Sequence, residues 1–269
     1  MQKIDKGMIF WYSGCGNSRF VAEQLAAGLN QELIFIPEAE RSGSEIEING
    51  DEMVGFVFPI YAWAAPKLVT DFIAKIRFAK RPEYLFAAVT CGDETGYTYR
   101  TFSRFLQKQG VILDAFFSFK MPETYINLPG FKLDTPQSEK SKIDAVKEQL
   151  PDVITSISKR DRGNFDELKG GAPFLKSYIL KPLFYGLLIS DKPFNVNDSC
   201  NSCGKCAKEC PLQNISLVDG KPKWNGNCTN CMSCYHHCPN NAINFGKQTC
   251  GKGQYYFNRP QATANEKRE

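Results

Sequence analysis

Eight cysteines near the C-terminus fall into two copies of one pattern, C-x2-C-x2-C-x3-C-P. The first is Cys200, Cys203, Cys206 and Cys210, followed by Pro211; the second, 28 residues on, is Cys228, Cys231, Cys234 and Cys238, followed by Pro239. Three thiolates two residues apart can wrap one corner of an iron–sulfur cubane from a tight loop, with backbone N–H groups turned toward the sulfurs. The fourth cysteine has left that loop, and in such runs it ligates the other cluster. We therefore expect Cys200, Cys203, Cys206 and Cys238 to hold one [4Fe–4S] cluster, and Cys210, Cys228, Cys231 and Cys234 a second. The repeat extends past the ligands, with Ile215 matching Ile243 and Leu217 matching Phe245. These apolar pairs are expected to close a small core. A module of roughly 50 residues buries little apolar surface, so the metal must contribute folding energy.

Zinc also favours C-x2-C, but as two separated pairs per ion, which leaves the third cysteine of each run without a role. A disulfide framework suits small secreted chains, and this chain opens with no secretory signal. His236 and His237 lie inside the second motif and read as loop residues, because four cysteines already complete each site.

The second chemical signal is Ser13-Gly14-Cys15-Gly16-Asn17-Ser18, between an apolar strand (8–12) and a helical pattern (19–29). Backbone N–H groups and a helix dipole converging there make an anion site that fits a phosphate. Gly14 and Gly16 let the backbone curl close, and Ser13, Asn17 and Ser18 offer polar side chains. No G-x4-G-K-[ST] follows, and the G-x-G-x-x-G spacing is absent, so neither a triphosphate loop nor a dinucleotide loop is indicated. A single phosphate held by neutral donors suits the monoester of FMN. A Cys-nucleophile phosphatase loop needs C-x5-R; here Cys15 precedes Arg19 by C-x3-R, and the x5 position is Val21.

The elements that must position these groups alternate. Strands are expected at 8–12, 33–36 (ended by Pro37), 53–58 (ended by Pro59), 84–90 and 111–120. Helices are expected at 19–29, 67–76, 97–109 and within 138–159, the last distorted at Pro151. Apolar strands alternating with helices predict a parallel sheet covered on both faces. The fold class is α/β: a flavodoxin-like, doubly wound, five-stranded parallel sheet of order 2-1-3-4-5, with a small C-terminal α+β domain for the clusters. Ligands in such sheets bind beyond the carboxyl ends of the strands. That places Pro59-Ile60-Tyr61-Ala62-Trp63 and Thr90-Cys91-Gly92, with Gly96, beside the phosphate loop. Trp63 or Tyr61 would stack on a planar heterocycle, and Gly92 and Gly96 would let the backbone approach it. Asp93 and Glu94 read as solvated; Cys91 has no assigned role, and Cys250 reads as a plain small residue.

These motifs resemble known proteins. The cysteine runs are those of bacterial-type two-cluster ferredoxins. Ser13, Cys15, Gly16 and Ser18 stand in the places of the flavodoxin loop T-x-T-G-x-T, with Cys15 departing from Thr. The Pro59–Pro66 and Thr90–Gly96 stretches look like the two flavodoxin loops that bracket the isoalloxazine ring. The chain as a whole is similar to the fused flavodoxin–ferredoxin proteins of the EFR1 family. The resemblance implies one FMN, with its ring between those loops, and two [4Fe–4S] clusters.

The expected organisation is a flavodoxin-like domain over 1–160, a linker and interdomain helix over 161–194, the cluster domain over 195–250 and a tail over 251–269. Tyr255-Tyr256-Phe257 in the tail is expected to dock, and residues after Gln261 to fray. The apolar run 174–189 is interrupted by Lys176, Ser177, Lys181 and Pro182, so no stretch reaches transmembrane length. A formal net charge of +4 is too small to argue for nucleic acid. Free thiols and reduced clusters fit the cytoplasm. The expected function is electron transfer between the clusters and FMN, with redox proteins as donor and acceptor. The alternative is flavin-dependent reduction of a small organic substrate. No acid–base or nucleophilic constellation stands out, so no catalytic residue is assigned.

Overall fold

The computed structural model describes residues 7–260 apart from 44, 183, 184 and 186–188. Strand β1 (Met8–Trp11) leads into helix α1 (Asn17–Leu29), and β2 (Glu32–Phe35) into α2 (Ile36–Ser42). Pro37 does more than end the second strand: it occupies the first turn of α2, where its missing N–H costs nothing. Next come β3 (Glu47–Ile48), β4 (Met53–Pro59), α3 (Lys67–Ile73), β5 (Arg77–Phe78), β6 (Tyr84–Cys91), α4 (Thr98–Lys108) and β7 (Ala115–Lys120). Helix α5 (Pro136–Ser158) runs through Pro151, and Thr135 caps it by accepting from the Ser138 N–H.

The main sheet has the order β2-β1-β4-β6-β7 and is parallel throughout. This is the flavodoxin-like 2-1-3-4-5 order, with one correction. A sixth strand, β8 (Asn164–Phe165), pairs with β7 at the edge, inside the stretch expected to be linker. Alternation along the strands fills both faces. Phe10, Tyr12, Phe56 and Phe58 enter one core layer; Ile9, Val57, Ala88 and Phe117 enter the other, under α1 and α5. Strands β3 and β5 form a separate two-stranded parallel ribbon.

Beyond β8, α6 (Leu175–Leu180) is wound as a π-helix. Its Ser177 is buried and accepts from the Tyr97 N–H at 2.9 Å, while Phe174, Leu175 and Ile179 are exposed. Part of the expected 174–189 helix, and the tail after 260, lie outside the described residues.

The C-terminal module keeps the 28-residue repeat in its backbone. Helices α7 (Lys205–Lys208) and α8 (Ser233–His236) are equivalent. Left-handed residues recur at Ser202 and Asn230, Gly204 and Met232, and Gln213 and Asn241. Strand β9 (Phe194–Val196) pairs with β12 (Ile243–Phe245), and β10 (Ile215–Val218) with β11 (Lys221–Trp224). Ile215, Ile243 and Phe245 are buried together as expected. Leu217 is not: it is 43% exposed. It sits on a two-stranded hairpin, whereas Phe245 packs edge-on against Phe194 with centroids 5.0 Å apart.

The loop after β7 and the tail help join the module to the sheet. From the loop after β7, Ile126 enters the module's core. Lys252 donates to the carbonyls of Ile126 and Leu128. The tail docks as expected: the Tyr255 hydroxyl donates to Asn17 Oδ1 at 2.8 Å, the Phe257 N–H donates to the Cys15 carbonyl, and Phe257 stacks on Phe20.

Candidate functional site

The loop from Ser13 to Ser18 turns through Gly16, whose φ is +93°, into the N-terminus of α1. Ser13 Oγ accepts from the Gly16 N–H at 3.0 Å. The other side chains of the loop are committed elsewhere. Asn17 Nδ2 donates to the Pro122 carbonyl at 2.9 Å, and Ser18 Oγ and Thr90 Oγ1 are 2.7 Å apart, tying the loop to β6. The Cys15 thiol donates to the Cys231 carbonyl at 3.4 Å. Burial holds that thiol well above its ordinary range, which is the opposite of an activated nucleophile. The anion donors that remain are backbone N–H groups of the first turn of α1, which have no intrahelical partner. That donor set fits a phosphate.

This loop forms one end of a cavity of about 380 Å³, within the range of small-molecule sites. Ser13, Gly14, Cys15, Asn17, Ser18, Pro59, Ile60, Tyr61, Ala62, Trp63, Thr90, Cys91 and Gly92 all line it. Two expected residues lie behind the wall: a side chain at Gly16 would strike Phe257 at 2.9 Å, and Gly96 abuts Trp63 and Ser177. Tyr61 and Ala64 exchange backbone hydrogen bonds around Ala62 and Trp63, which have φ of +46° and +57°. Two left-handed residues make this a type I′-like turn, a conformation that usually selects Asn-Gly. Ala and Trp hold it under strain, and Trp63 is thereby presented to the cavity.

Trp63 Nε1 donates to Glu94 Oε1 at 2.8 Å, and Lys176 of α6 pairs with the same oxygen. Glu94 is therefore a fixed part of the cavity, not a solvated residue. Asp93 is solvent-facing as expected and pairs with Lys120. Burial pushes the Cys91 thiol up to about 12, so it lines the wall as an inert group.

The sequence reading missed two walls. One is the loop after β7, which contributes Glu123, Tyr125, Leu128 and Phe131. The signal for it was positional: it follows a strand's carboxyl end. Glu123 Oε1 accepts from the N–H groups of Thr124 and Tyr125, and burial raises its carboxyl above the ordinary range. The other wall comes from the second cysteine motif: Thr229, Asn230 and Cys231. No local feature of the sequence marked it.

The structure brings the cysteines together in the two expected crossed sets. Cys200, Cys203, Cys206 and Cys238 surround one small cavity. Cys210, Cys228, Cys231 and Cys234 lie within electrostatic reach of one another. All eleven cysteines are free thiols. Backbone N–H groups turn toward sulfurs as the loop geometry requires: Asn214 to Cys210 at 3.3 Å, Asn230 to Cys228 at 3.3 Å and Ala242 to Cys238 at 3.2 Å. The first and third of these are repeat equivalents. Among the described residues, no group of three or more His, Cys, Asp or Glu gathers as a site for a single metal ion. Burial raises the Cys228, Cys231 and Cys234 thiols; metal coordination would oppose this by deprotonating them.

Residues 199–243 match the family model for a 4Fe-4S dicluster domain, a span containing all eight motif cysteines. No curated protein matches the chain. Among solved structures, rubredoxin oxygen:oxidoreductase from Desulfovibrio gigas is 14% identical over 59% of this chain and 37% of its own, with a TM-score of 0.35. This chain thus spans little more than a third of that protein. A putative flavoprotein from Bacteroides eggerthii is 13% identical over 53% of this chain and 98% of its own, with a TM-score of 0.33. An FMN-dependent NADH-azoreductase from Bacillus anthracis is 9% identical over 57% of this chain and all of its own, with a TM-score of 0.37. The chain joins a sheet of flavodoxin-like order to a 4Fe-4S dicluster domain, which places it in the electron-transfer class. Among the described residues, no helix is long and apolar enough to cross a membrane.

Proposed function

We propose that this protein is an electron-transfer flavo-iron–sulfur protein of the fused flavodoxin–ferredoxin (EFR1) family, working in a reducing cytoplasm between redox partner proteins. Its parts are an FMN domain (1–160, with edge strand β8 added from the segment that follows), a joining segment (161–194), a domain for two [4Fe–4S] clusters (195–250) and a tail (251–269). The observation that carries the reading is Cys231, which belongs both to the second cysteine set and to the wall of the cavity. That wall would bring a metal ligand beside a flavin site, where proximity sets the rate of electron exchange.

The chain's own residues divide the work. Backbone N–H groups of 13–18 would hold the phosphate of FMN, and Trp63, locked by Glu94 and Lys176, would flank the ring. Tyr125, Leu128 and Phe131 would exclude water. Cys200, Cys203, Cys206 and Cys238 would hold one cluster, and Cys210, Cys228, Cys231 and Cys234 the other. When bound, the clusters exchange single electrons and the flavin one or two, which would join one-electron carriers to two-electron chemistry. Anaerobic purification with iron, sulfide and flavin analysis tests this. About eight iron, about eight sulfide and about one FMN per chain are expected. Zinc in place of iron, or apoprotein that leaves micromolar FMN fluorescence unquenched, would remove the reading.

A second reading, reduction of a small organic substrate, is favoured by the cavity itself, whose far wall of Tyr125, Leu128 and Phe131 is apolar. Reoxidation of the reduced protein by enones, quinones or nitroarenes under anaerobic conditions separates the two. Reoxidation by electron-carrier proteins alone supports the first.

A further inference from the structure

The two cysteine sets share one repeated backbone but have different surroundings. Cys231 of the second set lines the wall of the large cavity. No cysteine of the first set lines that cavity, and Cys203 of the first set is the exposed one among the eight motif cysteines. The break in the repeat at Leu217 falls beside it. Leu217 and its cross-strand partner Pro222 line the small cavity that Cys200, Cys203, Cys206 and Cys238 surround. A Cβ at Gly204, between Cys203 and Cys206, would stand 3.5 Å from Leu217 Cδ1. Leu217 is nevertheless exposed, as is Val218 next to it, whereas Phe245, the repeat equivalent of Leu217, is buried.

The β10–β11 hairpin that carries these residues is held in place. Its turn, Asp219-Gly220, has φ of +49° and +74°, the two left-handed residues of a type I′ turn, for which Asp-Gly is a preferred pair. A Cβ at Gly220 would meet Ser202 Oγ at 2.7 Å, and Lys221 Nζ donates to the Cys200 carbonyl at 3.2 Å. The tip is thus seated on the first cysteine loop. Positive charge is in excess around it: residues 205–223 carry Lys205, Lys208, Lys221 and Lys223 against Glu209 and Asp219. Glu209 lies 4.0 Å from His237. Lys208, on α7 where it packs on β10, is exposed, as are Lys221 and Lys223. Among the described residues, none of these three lysines forms an ion pair.

We propose that the β10–β11 hairpin and the first cysteine loop form the docking surface for a small electron-carrier protein with an acidic face, and that electrons cross between the two proteins at the first cluster. The proposal deepens the electron-transfer reading above and rests on it. Leu217 and Val218 supply a small apolar centre and the lysines a charged rim, the usual division of an interface. Carboxylates on the partner would meet unpaired ammonium groups, which speeds encounter and fixes orientation. One electron passes from the reduced carrier to the oxidised first cluster, or back; one is oxidised as the other is reduced, and no bond forms or breaks. The second set, with Cys231 at the cavity wall, is then the link to the flavin site, so the two sets act in series.

The test uses anaerobically purified holoprotein and an acidic [2Fe–2S] ferredoxin, whose absorbance is distinct from that of [4Fe–4S] clusters. Zero-length carbodiimide crosslinking joins carboxylates to lysines in contact with them. Peptide mass spectrometry should find the ferredoxin joined to Lys208, Lys221 and Lys223. In stopped flow, electron exchange, started in whichever direction runs downhill, should slow as salt is raised. The double variant Lys208→Glu/Lys223→Glu should slow it about tenfold at low ionic strength, with iron content and both cluster midpoints as in wild type. The same variant should exchange electrons faster than wild type with a basic c-type cytochrome. No crosslink, crosslinks mainly outside residues 199–223, or an exchange rate unchanged by the charge reversal overturns the proposal. The crosslinking map is made on wild type, so it decides even where the variant loses iron. Wild-type protein without iron–sulfur clusters overturns the electron-transfer reading itself, an outcome that iron analysis identifies before any partner is added.

Discussion

The imidazole of His236 is clamped between two parts of the chain: Nε2 lies 2.8 Å from the Thr124 carbonyl, and the Tyr255 N–H donates to Nδ1 at 3.2 Å. The second contact needs a lone pair on Nδ1, so the proton sits on Nε2, which donates to Thr124. A residue inside the second cysteine motif thereby fastens the module to both the loop after β7 and the tail. His236→Ala would leave two buried backbone groups without partners, at about 1–3 kcal/mol each. Hydrogen exchange should then speed up at 124–128 and 253–257. Unchanged protection in both segments would show that the clamp does not hold the parts together.

Cys238 lies in the second motif but beside Cys206. Cys238→Ala should degrade the cluster of Cys200, Cys203 and Cys206 and spare the other. The readout is iron content, with EPR of the remaining cluster. Loss of the cluster bound through Cys228 instead would contradict crossed ligation.

FMN affinity should depend on two side chains by different routes. Ser18→Ala breaks the buried Ser18–Thr90 pair that holds the phosphate loop to β6, and should weaken binding by about 1–2 kcal/mol, roughly tenfold. Trp63→Ala removes the strained turn's aromatic and should weaken binding by a similar amount while leaving iron content unchanged. Fluorescence quenching titrations of apoprotein measure both. Affinity equal to wild type in both variants would place the flavin elsewhere.

Glu123 makes the cavity's stability depend on pH. Burial, partly opposed by hydrogen bonds from Tyr125 and Thr124, raises its folded-state value above the ordinary 4.5. The folded protein then binds more protons than the unfolded chain just above that pH. The group's stabilising contribution is therefore complete below 4.5 and is lost as pH rises through the folded value. Glu123→Gln cannot titrate, so its stability relative to wild type should improve as pH rises through that window. Urea unfolding of both proteins from about pH 4.5 to about pH 7 measures the difference. A constant difference across the range would contradict the raised value.

Much of this molecule was legible from local pattern. The cysteine runs announce themselves, because the C-x2-C-x2-C-x3-C-P spacing is a property of a few consecutive residues. The strand–helix alternation announces a parallel sheet, because burial on both faces leaves continuous apolar runs such as 84–90. Strands as short as Asn164–Phe165 carry no periodic signal, and the exposure of Leu217 depends on how little of the described chain packs on its hairpin. The turn at Ala62-Trp63 lacks the glycine or asparagine that its geometry usually demands, so its form could not be read either.

Local pattern was enough to specify the doubled eight-cysteine motif and the strand–helix alternation, since both follow from short-range spacing and hydrophobic period. Tertiary structure alone decided that Cys231 faces the cavity, that Asn17 and Ser18 spend their side chains on Pro122, Tyr255 and Thr90, and that Ile126 enters the cluster module. Those outcomes join residues more than 70, and up to 238, positions apart. No local propensity encodes such pairings; they exist only once the module and the sheet bury surface against each other.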